Sequence, residues 1–384
     1  MRSTSLLRRA VCVALPLSAC ALLTACQPGV PETIRIGVAQ PLSGPLKALG
    51  QDMLDGARMA ADEFNQQGLR IDGHAVKLEI VSADDKADAE AGKAAAKQLL
   101  DQQVVAVIGH LNSGVSMAAA PIYAGSNVPQ LAISTKPEYT QMGLPTTFRL
   151  VANDALQSAA MGGFAARLTG ERVFAVVDDA TPYGKGLAES AAKRMVERKR
   201  EITLRRSLDD KTTDFAQLLA DLQAAKVNTL VTTLADFQVL ALLEQAQKKG
   251  MKLDIVGADV IKSDRLRGLE GSAGQVWATS PVIDAQEFPG SKEFLAAFRG
   301  RYNHEPVYGA HYAYDTVHVL VAAIRKAKTV DGKALTAALK TVNASAPVTN
   351  SIRFADNGEQ RYGMVSIYQM NKGQWQLLGR SDVW

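Results

Sequence analysis

Only three cysteines occur in this chain of 384 residues, and all three, Cys12, Cys20 and Cys26, lie within its first 26 positions. The remainder has no thiol, which excludes a disulfide, a thiolate metal site and a cysteine nucleophile there. A strong charge of one sign is also missing. The whole chain carries +4, but Arg2, Arg8 and Arg9 stand in the first 25 residues without an acid, leaving +1 for the rest. Such a balance gives no basis for a nucleic-acid partner. After Cys26 no apolar run is long enough to span a bilayer. There is no Gly-x-Gly-x-x-Gly after a strand, no phosphate-loop Gly-Lys-Ser/Thr and no Gly-x-Ser-x-Gly elbow. Solenoid-period repeats and low-complexity tracts are absent too. His304, His311 and His318 recur every seven residues, toward one helix face, whereas metal sites favour i, i+4 pairs with a third ligand. Ser113 follows His110 by three residues in a turn, which is no triad geometry without an orienting acid. The chain therefore reads as a binder with no cofactor and no metal, not as an enzyme.

What is present begins with a leader. The basic start is followed by an apolar stretch, Ala10 to Ala25, interrupted by Pro16, in the pattern of a secretory signal. Leu23-Thr24-Ala25-Cys26 resembles the bacterial lipoprotein box. That resemblance implies cleavage before Cys26, lipidation of its thiol, and an exported protein held on a membrane by its acyl chains. Residues 26–33 read as a tether.

From Thr33 onward, strands and helices alternate. Thr33–Gln40, Val76–Val81, Val104–Ile108 and Val128–Ile133 have strand patterns, with helices at Gln51–Gln67, Lys86–Leu100 and Ser113–Tyr123 between them. Thr146–Val151 is extended, and the alternation then restarts. Helices are expected at Leu156–Leu168, Tyr183–Arg198, Thr213–Ala225 and Phe237–Lys249. Strands are expected at Val173–Val177, Ile202–Arg206, Thr229–Thr233, Ile255–Gly257 and Val276–Ser280. A helical block, Gly290–Tyr302, Tyr308–Lys328 and Gly332–Val342, cannot bury its apolar faces alone and is expected to return to the first array. Ser351–Phe354, Val365–Met370 and Gln374–Leu378 are strand-like. The fold class is thus α/β, with two Rossmann-like lobes of parallel-rich sheets joined by a three-crossover hinge. The lobes are 34–150 plus 281–362 and 151–280 plus 363–384.

The stretch Val104–Ala120 organises this reading. A buried strand breaks at Gly109, and a helix resumes at Ser113, which reads as its N-cap. The turn between them offers N–H groups at a helix start, a site for an anion such as a carboxylate. Ligands of open α/β sheets bind in the loops beyond the strands' carboxyl ends. In the first array those loops hold small polar groups, at Ser43-Gly44, Asn112-Ser113-Gly114 and Ser134-Thr135-Lys136. In the second they hold acids and a tyrosine, at Asp178 to Gly184, Asp236 and Asp259. Donors on one lobe and a carboxylate on the other suit a zwitterion.

Read in order, Ile36-Gly37-Val38, Leu42-Ser43-Gly44-Pro45, Asp84-Asp85, Val107 to Leu111 with Ser113, Ser134-Thr135-x-Pro137-Glu138, Tyr183-Gly184-x-Gly186-Leu187 and Gly257-x-Asp259 resemble the periplasmic branched-chain amino acid binding proteins. These are type I solute-binding components of ABC transporters, and the resemblance covers nearly the whole chain after the leader. It implies that Ser113 and the Thr135 backbone bind an α-carboxylate. The Thr135 hydroxyl and a carbonyl at Ser134 or Ile133 would help receive the α-ammonium, with Tyr183 closing over the ligand. Asp259 stands where the family has a glutamate that pairs with the ammonium, one methylene longer. Leu49 replaces an aromatic before Gly50, and an aromatic expected near Ala235 is absent. A cysteine pair found in some members is replaced by Lys86 and Asn112. Tyr308 reads either as a wall of the side-chain pocket or as core packing.

The resemblance thus implies an extracytoplasmic binder of an aliphatic amino acid, working with ABC permease subunits. Two other readings stay open: a sensor lobe for amides, urea or another small solute, and a structural envelope lipoprotein.

Overall fold

The computed structural model describes residues 30–268, 274–343, 346–350 and 352–381. The signal sequence and the Cys26 lipidation site therefore lie outside the described residues. The first array is built from β1 (Thr33–Gln40), α1 (Lys47–Gln66), a two-stranded hairpin of β2 (Arg70–Ile71) and β3 (His74–Ala75), β4 (Lys77–Asp84), α2 (Ala89–Asp101), β5 (Ala106–Gly109), α3 (Ser113–Gly125), β6 (Gln130–Ala132) and β7 (Thr147–Arg149). Its sheet runs β4-β1-β5-β6-β7, parallel throughout. The hairpin is an addition to the sequence expectation. It turns on Asp72 and Gly73, both with positive φ, the combination that a type I′ two-residue hairpin turn requires.

The second array follows with α4 (Asp154–Arg167), β8 (Phe174–Asp178), α5 (Pro182–Glu197), β9 (Ile202–Ser207), α6 (Ala216–Ala224), β10 (Thr229–Thr232), α7 (Asp236–Lys248), β11 (Asp254–Gly257) and β12 (Val276–Ser280). Next come α8 (Ser291–Tyr302), α9 (Ala310–Ala327) and α10 (Gly332–Thr341), then β13 (Ser366–Asn371) and β14 (Gln374–Arg380). The second sheet runs β14-β13-β12-β11-β10-β8-β9 and is parallel except at β13 and β14. The strand expected at Ser351–Phe354 is reduced to a single bridge between Phe354 and Gln360, Ser351 itself being outside the described residues.

Alternation along β1 places Ile34, Ile36 and Val38 in one core with Met53, Phe148, Phe298, Val317 and Leu320. The helical block α8–α10 thus does cover the first sheet. The opposite face packs Ala39 and Val107 against Ala95, Leu99 and Tyr123. The second sheet has its own two cores, one under α6 and α7 and one under α4 and α5. Burying so many aliphatic side chains, each worth roughly 1.5–3 kcal/mol, lets each sheet stand without a cross-link.

The chain passes between the sheets three times, near Ala152, Pro281 and Gly363, and these segments line one small cavity with Phe288 and Tyr312. The first and third are in contact. A Cβ on Gly363 would lie 2.9 Å from Ala152 Cα, closer than side chains pack.

Candidate functional site

The β5–α3 turn depends on Gly109, because a Cβ there would collide with the Ala39 carbonyl of the neighbouring strand. Beyond it, Asn112 occupies the N-cap and Ser113 is the first helical residue. Ser113 therefore does not cap its own helix. Its Oγ accepts from the amides of Thr135 (3.2 Å) and Lys136 (3.3 Å), tying two loops of the first sheet together and leaving its own proton to donate.

The Ser134–Lys136 loop is held from below by Arg149, which is fully buried. Its guanidinium donates to the carbonyls of Ser134 and Lys136, the latter at 2.8 Å, and to Glu359 at 2.9 Å. Ser134 is itself buried, its hydroxyl bonded to that of Ser116. With both polar groups engaged, Ser134 supports the loop. Thr135 reaches the other way. Its carbonyl accepts from the Asp154 amide at 2.8 Å, and its hydroxyl bonds the Asp154 carboxylate.

From the second sheet, Asp259 begins a short 3-10 turn after β11. Its Oδ1 accepts from the Tyr183 hydroxyl at 2.6 Å and from Gln157 Nε2 at 2.9 Å. Tyr183 sits in the first turn of α5, which Thr181 caps by accepting from the Gly184 amide. Burial and the nearby Asp259 and Asp154 carboxylates push the Tyr183 phenol well above its ordinary pKa, so it stays a donor.

Tyr308 approaches from the segment before α9, which is fixed by Asp52 of α1. The buried Asp52 carboxylate accepts from the amides of Val307, Tyr308, Gly309 and Ala310 at 2.8–3.0 Å. Burial raises the Tyr308 pKa, and Asp259 raises it further. The structure thus brings Thr135, Tyr183, Asp259 and Tyr308 to one place, with Ser113 behind Thr135. Leu49 lies in the first turn of α1 and Ala235 at the N-cap of α7, both half-buried and outside this polar network.

Asp154, Gln157, Arg149 and Asp52 were not anticipated. Asp154 is the first residue of α4, and burial, reinforced by Asp259, lifts its pKa to about 6. Asn153 caps the helix by accepting from the Leu156 amide at 3.0 Å. An Asn-Asp pair ahead of an apolar-periodic segment is a helix-start signal that would have found it.

An orienting acid does exist for His110. Its Nδ1 lies 2.6 Å from Asp85 Oδ2, and its Nε2 lies 3.3 Å from the Tyr123 hydroxyl. The trio is buried in the core, and Ser113 is bonded elsewhere, so the arrangement clamps the β4–α2 loop to the β5–α3 loop. The three repeating histidines also divide. His304 lies before α9 and is exposed, while His311 and His318 are on α9. No helix among the described residues is long and apolar enough to cross a membrane.

Comparison with known proteins places the fold. A Leu/Ile/Val-binding protein homolog from Brucella abortus is 30% identical over 342 residues, spanning 89% of this chain and 91% of its own. The crystal structure of an ABC transporter substrate-binding protein from Desulfitobacterium hafniense in complex with Leu superposes with a TM-score of 0.75 at 26% identity, over 90% of this chain and all of that one. A leucine-binding protein from Thermotoga maritima shares the fold, with a TM-score of 0.76 at 23% identity over 91% of this chain and all of its own. Residues 33–374 match the family described as periplasmic binding protein, and the chain belongs to that family, in its type I fold.

Proposed function

We propose that this chain is the extracytoplasmic substrate-binding component of an ABC transporter for branched-chain or related amino acids. The observation that carries the reading is the cluster in which Thr135, whose amide is tied to Ser113, bonds Asp154, and Asp154 in turn lies within electrostatic reach of Asp259. No lysine or arginine side chain pairs with either acid among the described residues. Asp259 is met only by the neutral donors Tyr183 and Gln157. Both carboxylates are half-buried and spare acceptor capacity remains on them, and a ligand's α-ammonium is of the right charge and size to pair with them. The α-carboxylate would lie toward the Ser113 hydroxyl and the α3 N-terminus.

In this reading the lobes are 34–150 plus 281–362 and 151–280 plus 363–384, and they close about the three crossovers. Tyr183 and Asp259 come from one, Ser113, Thr135 and Tyr308 from the other. A ligand touching both binds the closed form better, which is what lets closure signal occupancy to a permease. Leu49 and Ala235 would leave the side-chain wall aliphatic and open. Lipidation at Cys26 would keep the protein near its membrane partner. The relatives named for leucine, isoleucine and valine support an aliphatic side chain.

A thermal-shift screen against the twenty amino acids tests the reading. At a hundredfold excess over Kd, binding adds about 2.7 kcal/mol and Tm rises by several degrees. A flat response to all twenty would refute it.

A further inference from the structure

The turn after β11 is anchored on the second sheet at two points and reaches toward the first at a third. Ile261 is packed in the core under α6 and α7. Ser263 accepts from Trp375 Nε1 of β14 on its carbonyl at 3.0 Å and donates its hydroxyl to Asp236 at 2.7 Å. Between them, Lys262 turns the other way. Its Nζ donates to both carboxylate oxygens of Asp284, at 2.6 and 2.8 Å, and lies 4.4 Å from the centre of the Tyr368 ring. Asp284 follows the Pro281 crossover by three residues, and its neighbours Ile283 and Ala285 are packed in the core of the first sheet. The ion pair therefore bridges the two cores.

We infer that Lys262 is a positioning residue for ligand binding, a clasp that holds the turn carrying Asp259 against the second crossover and favours the closed lobes over the open ones. The inference rests on the closure of two lobes on a ligand proposed above, and adds a contact that the ligand does not make. The Lys262 amide donates to the Asp259 carbonyl at 2.9 Å, so a displacement of the lysine is passed on to the acid. The two charged side chains are 17% and 24% exposed, so solvent screens them less than it does a surface pair. An ammonium held by two carboxylate oxygens and a ring face at once has a defined position. The acid is held too, because the Asp284 amide donates to the Tyr368 hydroxyl at 3.2 Å. Glu287 lies within electrostatic reach of Asp284, and Lys262 and Arg380 are cations that offset these two acids.

A protein whose binding-competent arrangement is only partly populated binds with an affinity reduced by that fraction. Loss of the clasp lowers the fraction, and so weakens binding without touching the ligand.

The test uses the full folded protein and whichever of the twenty amino acids raises Tm most. Small-angle scattering without ligand reads how far the lobes stand apart, and titration calorimetry reads affinity. Lys262→Met keeps the stem and removes the charge. It is expected to enlarge the unliganded radius of gyration and to weaken binding roughly three- to tenfold. Asp284→Asn should act in the same direction. The double variant should bind about as well as the weaker single one, because both changes break one contact. Lys262→Arg, which keeps the charge, should recover most of the affinity. A pair that only stabilises the fold would lower Tm and leave the radius and the affinity as in wild type. That result in a folded Lys262→Met, or additive losses in the double variant, would overturn the inference. If Lys262→Met does not fold, wild-type radius and affinity in Asp284→Asn overturn it instead. If no amino acid binds the wild type, the amino-acid reading falls, and the unliganded radius alone decides for or against the clasp.

Discussion

Arg149 and Glu359, 210 positions apart in sequence, meet at 2.9 Å, joining the last strand of the first sheet to the segment that leads into the third crossover. The same guanidinium supports the carbonyls of Ser134 and Lys136 on either side of Thr135. Glu359 also accepts from Asn153, the cap of α4, at 3.1 Å. One ion pair thus ties the Ser134–Lys136 loop to the chain segments about which the lobes would turn.

Replacing Arg149 with methionine leaves Glu359 and two carbonyls without their donor. Removing one partner of a buried pair costs roughly 3–5 kcal/mol, and a chemical-denaturation midpoint should fall accordingly. Glu359→Gln keeps a neutral acceptor and should cost less, while weakening ligand binding through the loosened Thr135 loop. Equal stability of Arg149→Met and wild type would show that the pair is not structural.

Much of this was legible in the sequence. The strand Thr33–Gln40 is found with those bounds, and the Val104–Ala120 turn does put Ser113 at a helix start, because both rest on local apolar periodicity and a glycine break. The return of the helical block to the first sheet followed from its unpaired apolar faces. Support for the site was not legible. Asp52 looks like one acid on an amphipathic helix until the fold brings the amides of residues 307–310 to it. Arg149 reads as an ordinary strand residue until Glu359 arrives. Such pairs are tertiary, with no signature at short range. Asp154 escapes for a different reason: the apolar period starts at Leu156, two residues after the first residue of the helix.

Tyr183→Phe removes one hydroxyl and little volume. Its bond to Asp259 is charge-assisted, a class worth about 1.5–3 kcal/mol, so affinity for the ligand should fall roughly ten- to a hundredfold. Because the bond is already present without ligand, part of its energy should also appear as a lower melting temperature of the unliganded protein. Calorimetric binding constants decide this, and an unchanged constant would remove Tyr183 from the site.

Asp52→Asn tests how Tyr308 is positioned. A neutral amide offers one oxygen where the carboxylate serves four backbone N–H groups, so the segment before α9 should loosen. Stability is expected to drop by about 2 kcal/mol or more. Hydrogen exchange of the amides of residues 307–310 should accelerate relative to the core of α9, and exchange as slow as in wild type would count against the assignment.

Gly363 packs directly against Ala152, between the first and third crossovers. Gly363→Val would press side-chain atoms onto Ala152, where even a Cβ has only 2.9 Å. The segments must then separate, and the balance between open and closed lobes should shift. Small-angle scattering with and without ligand measures this as an altered change in radius of gyration. A variant with wild-type values in both states would show that the contact does not control closure.

Acid stability should depend on His311. The ring is fully buried, Nε2 donates to the Ile283 carbonyl at 2.9 Å, and burial lowers its pKa to about 3. A histidine held neutral in the fold but free to charge when unfolded stabilises the fold fully above the unfolded pKa of 6.5. That contribution is lost as pH falls from there toward 3. His318, lowered to about 4 by burial, acts in the same direction. Asp154 and Asp315, both raised to about 6, act oppositely between that value and their ordinary 3.8. The net profile mixes the two, so the variant must be compared with wild type at each pH. His311→Gln can keep an N–H for Ile283 without a group that titrates. Its Tm at pH 7.5 should lie at or slightly below wild type, and its loss of Tm between pH 7.5 and 4.5 should be clearly smaller. Parallel losses in the two proteins would mean that His311 is not the acid-sensitive group of this core.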